Sequence, residues 1–556
     1  RHGADGEHVI SVDKVMDEKI GLVKFDILGV ASLVAIDEAK REDNIPDWEI
    51  DINNPEFEND KASYDLICSG RTDNLFQIES SGMKDLVAQL QPRSIEELSA
   101  LIALYRPDAM PSIPTYVDCK YHPEHIHYFH PDMEPIFRST YGVNIYQEQS
   151  MKLTKVFGGR SDAGADRMRK CLAKKKPEKV KEEVELLHDE ILANGYDKAT
   201  AEYICNELST KGGYGFNASH SQAYAVICLQ TAYLKAHHPL AFFKAMLNLN
   251  KAKVGKVNKI MVDARSFDIQ ILPPSINRSG MDFTVSNGKI LFGLSAIGGI
   301  GNTLAETIIA ERDRNGKFKG LDDFTSRVRA TKAQIIALVK SGAIPTKNKR
   351  VFLEKYIASG LEQSEFKPVS TLPTKAVLLS KWDIDTEHYK VGKKVDKETV
   401  LRIYNEKRRV VHETEKLKKK EAYMAEQTTK YLQDEELWEF QTLQTFISDS
   451  NPFEKAFAYI KDFSEIEEGD SCVLVGIIAK IQKKKTKTGM QFAFINLYSG
   501  DGIIELTVWP RVLSYYQDLI VKGSQVAVLG KKEDESHVIA SNFKPYKQWL
   551  HDREIK

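Results

Sequence analysis

Nothing in this sequence is arranged for a disulfide framework or a zinc ribbon. Its six cysteines, Cys68, Cys119, Cys171, Cys205, Cys228 and Cys472, include no CxxC pair, the spacing that either would need. Reduced thiols in a cytoplasmic protein are the simple expectation. No apolar run approaches the roughly 20 residues of a membrane helix, and no stretch reads as a signal peptide, so no membrane partner is expected. Net charge is also missing: 78 Lys+Arg stand against 79 Asp+Glu. Bulk charge therefore gives no sign of a nucleic-acid partner, and any basic surface must be local. Internal repeats are absent, and no exonuclease or phosphoesterase motif is visible. The chain starts at Arg1 rather than Met, which predicts a fragment, a processed product or one piece of a split protein.

What is present fits an ordinary globular composition, 42% hydrophobic and 28% charged over 556 residues. That length accommodates roughly three to five domains. Residues 1–30 read as strands and turns, from the alternation in "EHVISVDKV" and the compact apolar strand "IGLVKFDILGV". Residues 31–250 read as mainly helical. A short strand pair around "FTVSNGKILFGL" opens 271–365, and helices follow. Residues 394–436 form a polar helical stretch without a full hydrophobic stripe, which suggests a solvated connector. From 468 to 546, short alternating strands with glycine turns suggest a small closed β-barrel.

Five local features carry chemistry. Asp26 ends a buried apolar strand, with Lys24 two residues earlier on the same strand face. A carboxylate there needs a cation or a metal, so a metal ligand and an Asp–Lys strand-edge pair are both open. In "ADRMRKCLAKKK", Arg167, Arg169, Lys170, Lys174, Lys175 and Lys176 crowd one and a half helical turns and the loop after them. Such a cluster suits phosphate, and a solvated basic face is the alternative. "FNASH" offers Asn217, Ser219 and His220 beside Tyr224, either lining a pocket or forming a polar knot in an apolar helix. Gly298, Gly299 and Gly301 of "GGIG" permit a tight turn whose N–H groups face a phosphate. Finally, Lys483, Lys484, Lys485 and Lys487 sit on a barrel hairpin, followed by Phe492, Phe494, Tyr498 and Trp509. Lysines track phosphates and aromatics stack bases, although half of such strand aromatics are expected to fill the barrel core.

Several motifs occur in one order: "GLVKFDILGV", then "LFQIESSGM" (75–83), "ALYRPDAM" (103–110), "STYGVNIYQEQSM" (139–151), "ADRMRKCLAKKK" (165–176) and "YGFNASHSQAYAVICLQTAYLKAHHP" (214–239). Together they resemble the bacterial DNA polymerase III alpha subunit, the C-family of replicative polymerases. "ILPPSINRS", "LSAIGGIGNTLAETII" and the barrel extend the resemblance, excepting roughly 365–440. It implies a multidomain α+β fold: the end of a palm sheet (1–31), large helical fingers (32–270), a helix-hairpin-helix domain (271–365), a charged helical connector (366–467), an OB-fold (468–546) and a tail (547–556). It implies template-dependent addition of dNTPs to a primer 3′-hydroxyl with two Mg2+ ions. Asp26 would be the catalytic metal ligand. Lys24, Arg106, Arg169, Lys170, Lys174, Asn217, Ser219 and His220 would contact the nucleotide.

The chain departs from the family at Asp108, where glycine is usual, and at Lys170, where arginine is usual. The family's two other palm aspartates lie upstream, and Asp5, Asp13 and Asp17 do not fit their motif. A palm-containing partner chain or segment is therefore expected for full activity. Primer-template DNA, single-stranded DNA and a sliding clamp are the other expected partners. The only clamp-peptide candidate, "QTLQTF" (441–446), is a poor match. The runner-up reading is a non-catalytic DNA-binding or assembly module derived from such a polymerase. An X-family repair polymerase is a weaker third, sharing the hairpin motif but not the fingers motifs.

Overall fold

The computed structural model describes all residues except 1–12, 23–28, 174–176, 211–214, 252, 360–364, 434, 444, 448–452, 462, 464–465, 487, 500–501, 535 and 555–556. The chain forms two compact units, Arg1–Leu249 and Asn250–Lys556.

The first unit is helical from its first described residues. Lys14–Lys19 forms α1, where strand was expected. The reason is local: the Asp13 carboxylate accepts the Met16 N–H at 2.9 Å, an N-cap bond that starts a helix. The apolar strand around Lys24 and Asp26 lies outside the described residues. Next come α2 (Ala31–Asp43), α3 (Lys61–Cys68) and α4 (Ile95–Leu104). In α4 every residue but Glu96 is buried, as expected of a helix that is apolar all round. Further on stand α5 (Gln147–Val156), α6 (Asp162–Ala173), α7 (Pro177–Ala193), α8 (Lys198–Thr210) and α9 (Ala218–His237). Helix α9 packs against α2, α3 and α4. A second core joins α5 to α8 through Leu153, Met168, Leu172, Leu187, Ile191, Ile204 and Leu208. Beneath it the buried Arg160 guanidinium is held by Glu183 at 3.0 Å and Glu190 at 2.5 Å. Burial without those carboxylates would leave an uncompensated charge.

The second unit opens with a helix over Val254–Arg265, and a three-stranded sheet follows. Strand β1 (Ile271–Leu272) pairs in parallel with β3 (Lys289–Leu291), and β3 forms a hairpin with β2 (Thr284–Ser286). Asn287 and Gly288 turn the hairpin at φ 52° and 70°, the backbone that an Asn-Gly hairpin turn requires. Two helices of the region, α10 (Asn302–Asn315) and α11 (Lys332–Lys340), follow. A short hairpin, β4 (Lys390–Val391) with β5 (Lys394–Val395), leads into the 35-residue helix α12 (Lys397–Tyr431). Only Val400 and Gln427 are buried on α12, in keeping with its missing apolar stripe. Helix α13 (Trp438–Leu443) comes next.

Strands β6 (Ser471–Lys485), β7 (Gln491–Ser499), β8 (Gly502–Val508), β9 (Gln525–Asp534) and β10 (His537–Pro545) close a barrel in the order β10-β8-β7-β6-β9. All its pairings are antiparallel except β8 with β10. This is the partly Greek-key closure of an OB-fold. Its interior is aliphatic, including Leu474, Ile478, Ala493, Ile495, Leu497, Leu506, Val508, Val526 and Val528. The near-continuous apolar run in β6 has a separate cause. Val475 and Ile477 point outward into a second core with Phe440, Phe446, Phe453 and Tyr498.

Candidate nucleotide and nucleic-acid site

In the first unit, the residues around the start of α9 are joined to α5 by backbone. Phe216 and Tyr146 form an isolated parallel bridge; Gln147 N–H donates to Phe216 O and Phe216 N–H to Ile145 O, each at 2.9 Å. Gly215 allows this approach, because a Cβ there would meet the Gln147 nitrogen at 2.8 Å. Asn217 does not sit within an apolar helix, as the sequence suggested; it caps α9. Its Oδ1 accepts from His220 N–H at 2.8 Å and from the Ser219 hydroxyl at 2.7 Å. Its Nδ2 donates to Glu148 at 2.9 Å, and Glu148 also accepts the Ala218 N–H at 3.0 Å. Asn217 and Ser219 thus spend these bonds inside the protein. The His220 ring remains exposed, 4.2 Å from Tyr224 and 5.5 Å from Phe216 between centroids. Behind the bridge, Ser99 bonds the Tyr146 and Ser221 hydroxyls at 2.9 and 2.8 Å, and burial pushes the Tyr146 phenol up. Gln149 braces the turn, accepting from the Ile145 and Tyr146 N–H groups at 2.8 and 2.9 Å.

Cations approach this framework from two sides. The half-buried Arg106 guanidinium lies 4.3 Å over the Phe216 ring, and its Nε donates to Ala103 O at 3.2 Å. Burial lowers its pKa. Asp108 is not among the residues at positive φ, so the turn after Pro107 accepts aspartate without strain.

From α6, Arg169 donates through Nε and Nη2 to Asp166 Oδ1 at 2.9 and 2.7 Å, and its Nη1 reaches Gln147 Oε1 at 3.4 Å. Lys170 Nζ holds Asp166 Oδ2 at 2.8 Å. Hydrogen bonds from Lys170 and Arg169 keep the Asp166 carboxyl below the usual range. Arg169 is 31% exposed and Lys170 63%. Arg167 points elsewhere, to Glu183 at 3.2 Å. Lys174, Lys175 and Lys176 lie outside the described residues. The sequence reading missed Asp166, Gln147 and Phe216 as partners. The i to i+3 and i+4 spacing of Asp166, Arg169 and Lys170 was the available signal. Arg106, Phe216, His220, Gln147 and Arg169 therefore form one connected wall.

The residues expected from the sequence to contact DNA belong to the second unit. Gly299 adopts φ 86° and Gly301 precedes α10. The Gly298 N–H, however, donates to Thr442 O at 2.7 Å and is not offered to a phosphate. On the barrel, Lys483, Lys484 and Lys485 pair across from Ala493, Phe492 and Gln491, and all three lysines are exposed. Lys487 lies outside the described residues.

Contrary to expectation, none of the four barrel aromatics fills the core. Tyr498 is buried against Phe440 and Phe446. Phe492, Phe494 and the 47%-exposed Trp509 share an outer face. Lys484 Nζ stands 4.8 Å over the Phe494 ring. Strand alternation explains this, since Ala493, Ile495 and Leu497 take the inward positions. Leu443 and Phe446 of the clamp-peptide candidate are 3% and 4% exposed, and neither is presented to a partner.

Asp26 is also outside the described residues. Among the described ones, no group of three or more His, Cys, Asp or Glu could hold a metal ion. The expected magnesium thus finds no ligand set among the described residues. No helix among the described residues is long and apolar enough to cross a membrane.

Residues 33–195 match the bacterial DNA polymerase III alpha subunit finger domain, and residues 268–350 match a helix-hairpin-helix motif. The chain is 31% identical over 555 residues to a DNA polymerase III subunit alpha of Aquifex aeolicus, covering 97% of this chain and 44% of the relative. The same-named protein of Deinococcus radiodurans is 32% identical over 542 residues, 95% of this chain and 39% of the relative. That of Caulobacter vibrioides is 39% identical over 339 residues, 60% and 29% respectively. The chain spans less than half the length of each of these relatives.

Proposed function

From the premise that this chain belongs to the bacterial DNA polymerase III alpha-subunit family, we propose that it supplies the nucleotide grip and the DNA hold of a DNA-directed DNA polymerase. Template-dependent addition of dNTPs to a primer 3′-hydroxyl would be completed with a palm-containing segment or partner chain. Lys24, Asp26 and Mg2+ enter this reading through the family resemblance alone. The observation that carries the proposal is Arg169, presented on the wall with its fork facing a carboxylate. Asp166 occupies the place that a triphosphate oxygen would take. An exposed ion pair of this kind is weak, whereas a guanidinium on a phosphate gains a stronger charge-assisted bond. Arg169 and Lys170 would thus exchange Asp166 for the incoming nucleotide, with Arg106 and His220 further along the same wall.

The test is a dNTP titration in primer extension, with the chain assembled with a palm-containing segment. Arg169→Ala should lower kcat/KM for dNTP roughly 100-fold, about the loss for one transition-state charge contact. Affinity for primer-template should stay within about twofold. Lys170→Ala should follow the same pattern more weakly, and Lys170→Arg should be tolerated, because it restores a forked donor. Weakened DNA binding with an unchanged nucleotide KM would show that α6 is a solvated basic face.

A further inference from the structure

The most exposed helix of the second unit carries an ordered cationic stripe in the stretch that the motif resemblance leaves out. On α12, Arg402, Arg409 and Lys416 recur every seven residues and Lys420 follows four later. At about 100° per residue, all four fall within about 40° of one another around the axis. All four are exposed. The exposed apolar residues Val410, Val411 and Leu417 lie off this line, as do Glu415 and Glu421. Glu413 and Glu406 share the same face, about 20° and 40° from Arg402 and Lys420 around the axis, and Glu413 holds Arg409 at 3.2 Å in a pair exposed on both sides. Such a pair gives up its cation readily.

The stripe also has a defined direction. Further along the same helical face, Tyr423 and Gln427 accept hydrogen bonds from Lys332 Nζ at 2.8 and 2.6 Å. Lys332 opens α11, within the segment that matches a helix-hairpin-helix motif. The cationic line thus runs off that module along α12. From residue 402 to 420 it spans about 27 Å at 1.5 Å per residue. That length covers about eight base pairs of B-form DNA at 3.4 Å per phosphate of one strand.

We infer that Arg402, Arg409, Lys416 and Lys420 form a phosphate-tracking rail for double-stranded DNA leaving the helix-hairpin-helix module. This rests on the DNA-holding function proposed above. A row of cations about 27 Å long, at steps of seven, seven and four residues, suits the closely spaced phosphates of a duplex. A lipid surface would require apolar residues interleaved on the same face, and the stripe has none.

The full chain would be titrated with a fluorescent duplex of about 30 base pairs, following anisotropy from roughly 0.05 to 0.3 M salt. Replacing all four residues by Gln should weaken binding at least roughly tenfold near 0.1 M salt and lower the salt slope by up to about 0.9 per lost contact. A matched pair of double variants removes equal charge from two faces. Arg409→Gln with Lys416→Gln should flatten the slope; Lys397→Gln with Lys418→Gln should change it by less than half as much. Equal effects of the two pairs, or an unchanged slope in the fourfold variant, overturn the rail while leaving the DNA-holding function intact. A wild-type chain without duplex affinity overturns both.

Discussion

The fingers wall and the barrel hairpin both carry cations, but they hold them differently. On the wall, Arg169 and Lys170 are tied to Asp166, and Arg106 is pinned over Phe216 with its Nε on a carbonyl. On the hairpin, Lys483, Lys484 and Lys485 extend from the end of β6 into solvent, beside the half-buried Phe492 and Phe494 rings. A guanidinium held by a carboxylate has lost most of its rotamer freedom before any ligand arrives, and this suits one ligand in one pose. Exposed lysine stems keep more of that freedom, although Lys484 lies over the Phe494 ring, and suit a polyanion of any sequence. The difference teaches that burial and pairing, more than the number of cations, separate a site for a small ligand from a track for a strand.

The sharpest break in this comparison should come from Gly215→Ala. The added Cβ would meet the Gln147 nitrogen at 2.8 Å and its Cα at 3.0 Å. Both are backbone atoms, so Phe216 must move away from Tyr146. Overpacking of this kind costs about 1–3 kcal/mol. Calorimetry should show the loss in the transition of the first unit, and nucleotide KM should rise as Phe216 carries the Arg106 stacking partner away. Single-strand affinity should not change, because the barrel is built independently. A variant that melts and binds nucleotide like the parent would mean that the wall does not depend on the bridge.

A smaller, graded effect belongs to the hairpin. Changing Lys483, Lys484, Lys485 and Lys487 to Ala should flatten the salt dependence of single-strand binding by about 0.7 for each lysine that neutralises a phosphate. Affinity should fall several-fold, while nucleotide KM stays put. A filter-binding titration with an unchanged slope would leave the outward-facing rings as the only candidate contacts on that face.

Much of the architecture was legible because local signals agreed with it. The strand pair around "FTVSNGKILFGL", the alternation in β7 and the polar run of α12 each appear where expected. Failures arose where a local reading met a competing signal. The alternation in "EHVISVDKV" suggested strand; its first six residues lie outside the described ones, and at its end Asp13 caps a helix beginning at Lys14. The barrel aromatics were assigned partly to the core because strand faces cannot be oriented without knowing which residues point inward. Small and aliphatic residues took those places. At the candidate site, the cations were visible but their carboxylate was not sought. Asn217 was read as part of a pocket lining, although its hydrogen-bonding groups serve the helix cap. A second core outside the barrel, which buries Tyr498, arises from residues more than 50 positions apart such as Phe440 and Tyr498 and has no local signature.

The smallest effect tests whether Asp166 is a placeholder or a strut. Its carboxyl is held below the ordinary range chiefly by hydrogen bonds from Lys170 and Arg169. A folded-state pKa below the unfolded value means that the pair contributes stability above the unfolded pKa, near 3.9, and loses it as pH falls through the folded value. Asp166→Asn should therefore melt slightly below the parent at every pH from about 5 to 8, by no more than about 2 °C for so exposed a pair. The difference should close as pH falls through the folded value, where the parent carboxyl also becomes neutral. Because Arg169 is then released from its internal anion, nucleotide should bind at least as tightly as before. A loss of nucleotide affinity in Asp166→Asn, with the melting difference as small as expected, would mean that the carboxylate aims the guanidinium instead of reserving its place. The contrast between a paired wall and a free hairpin would then reflect orientation of the arginine more than occupancy of its site.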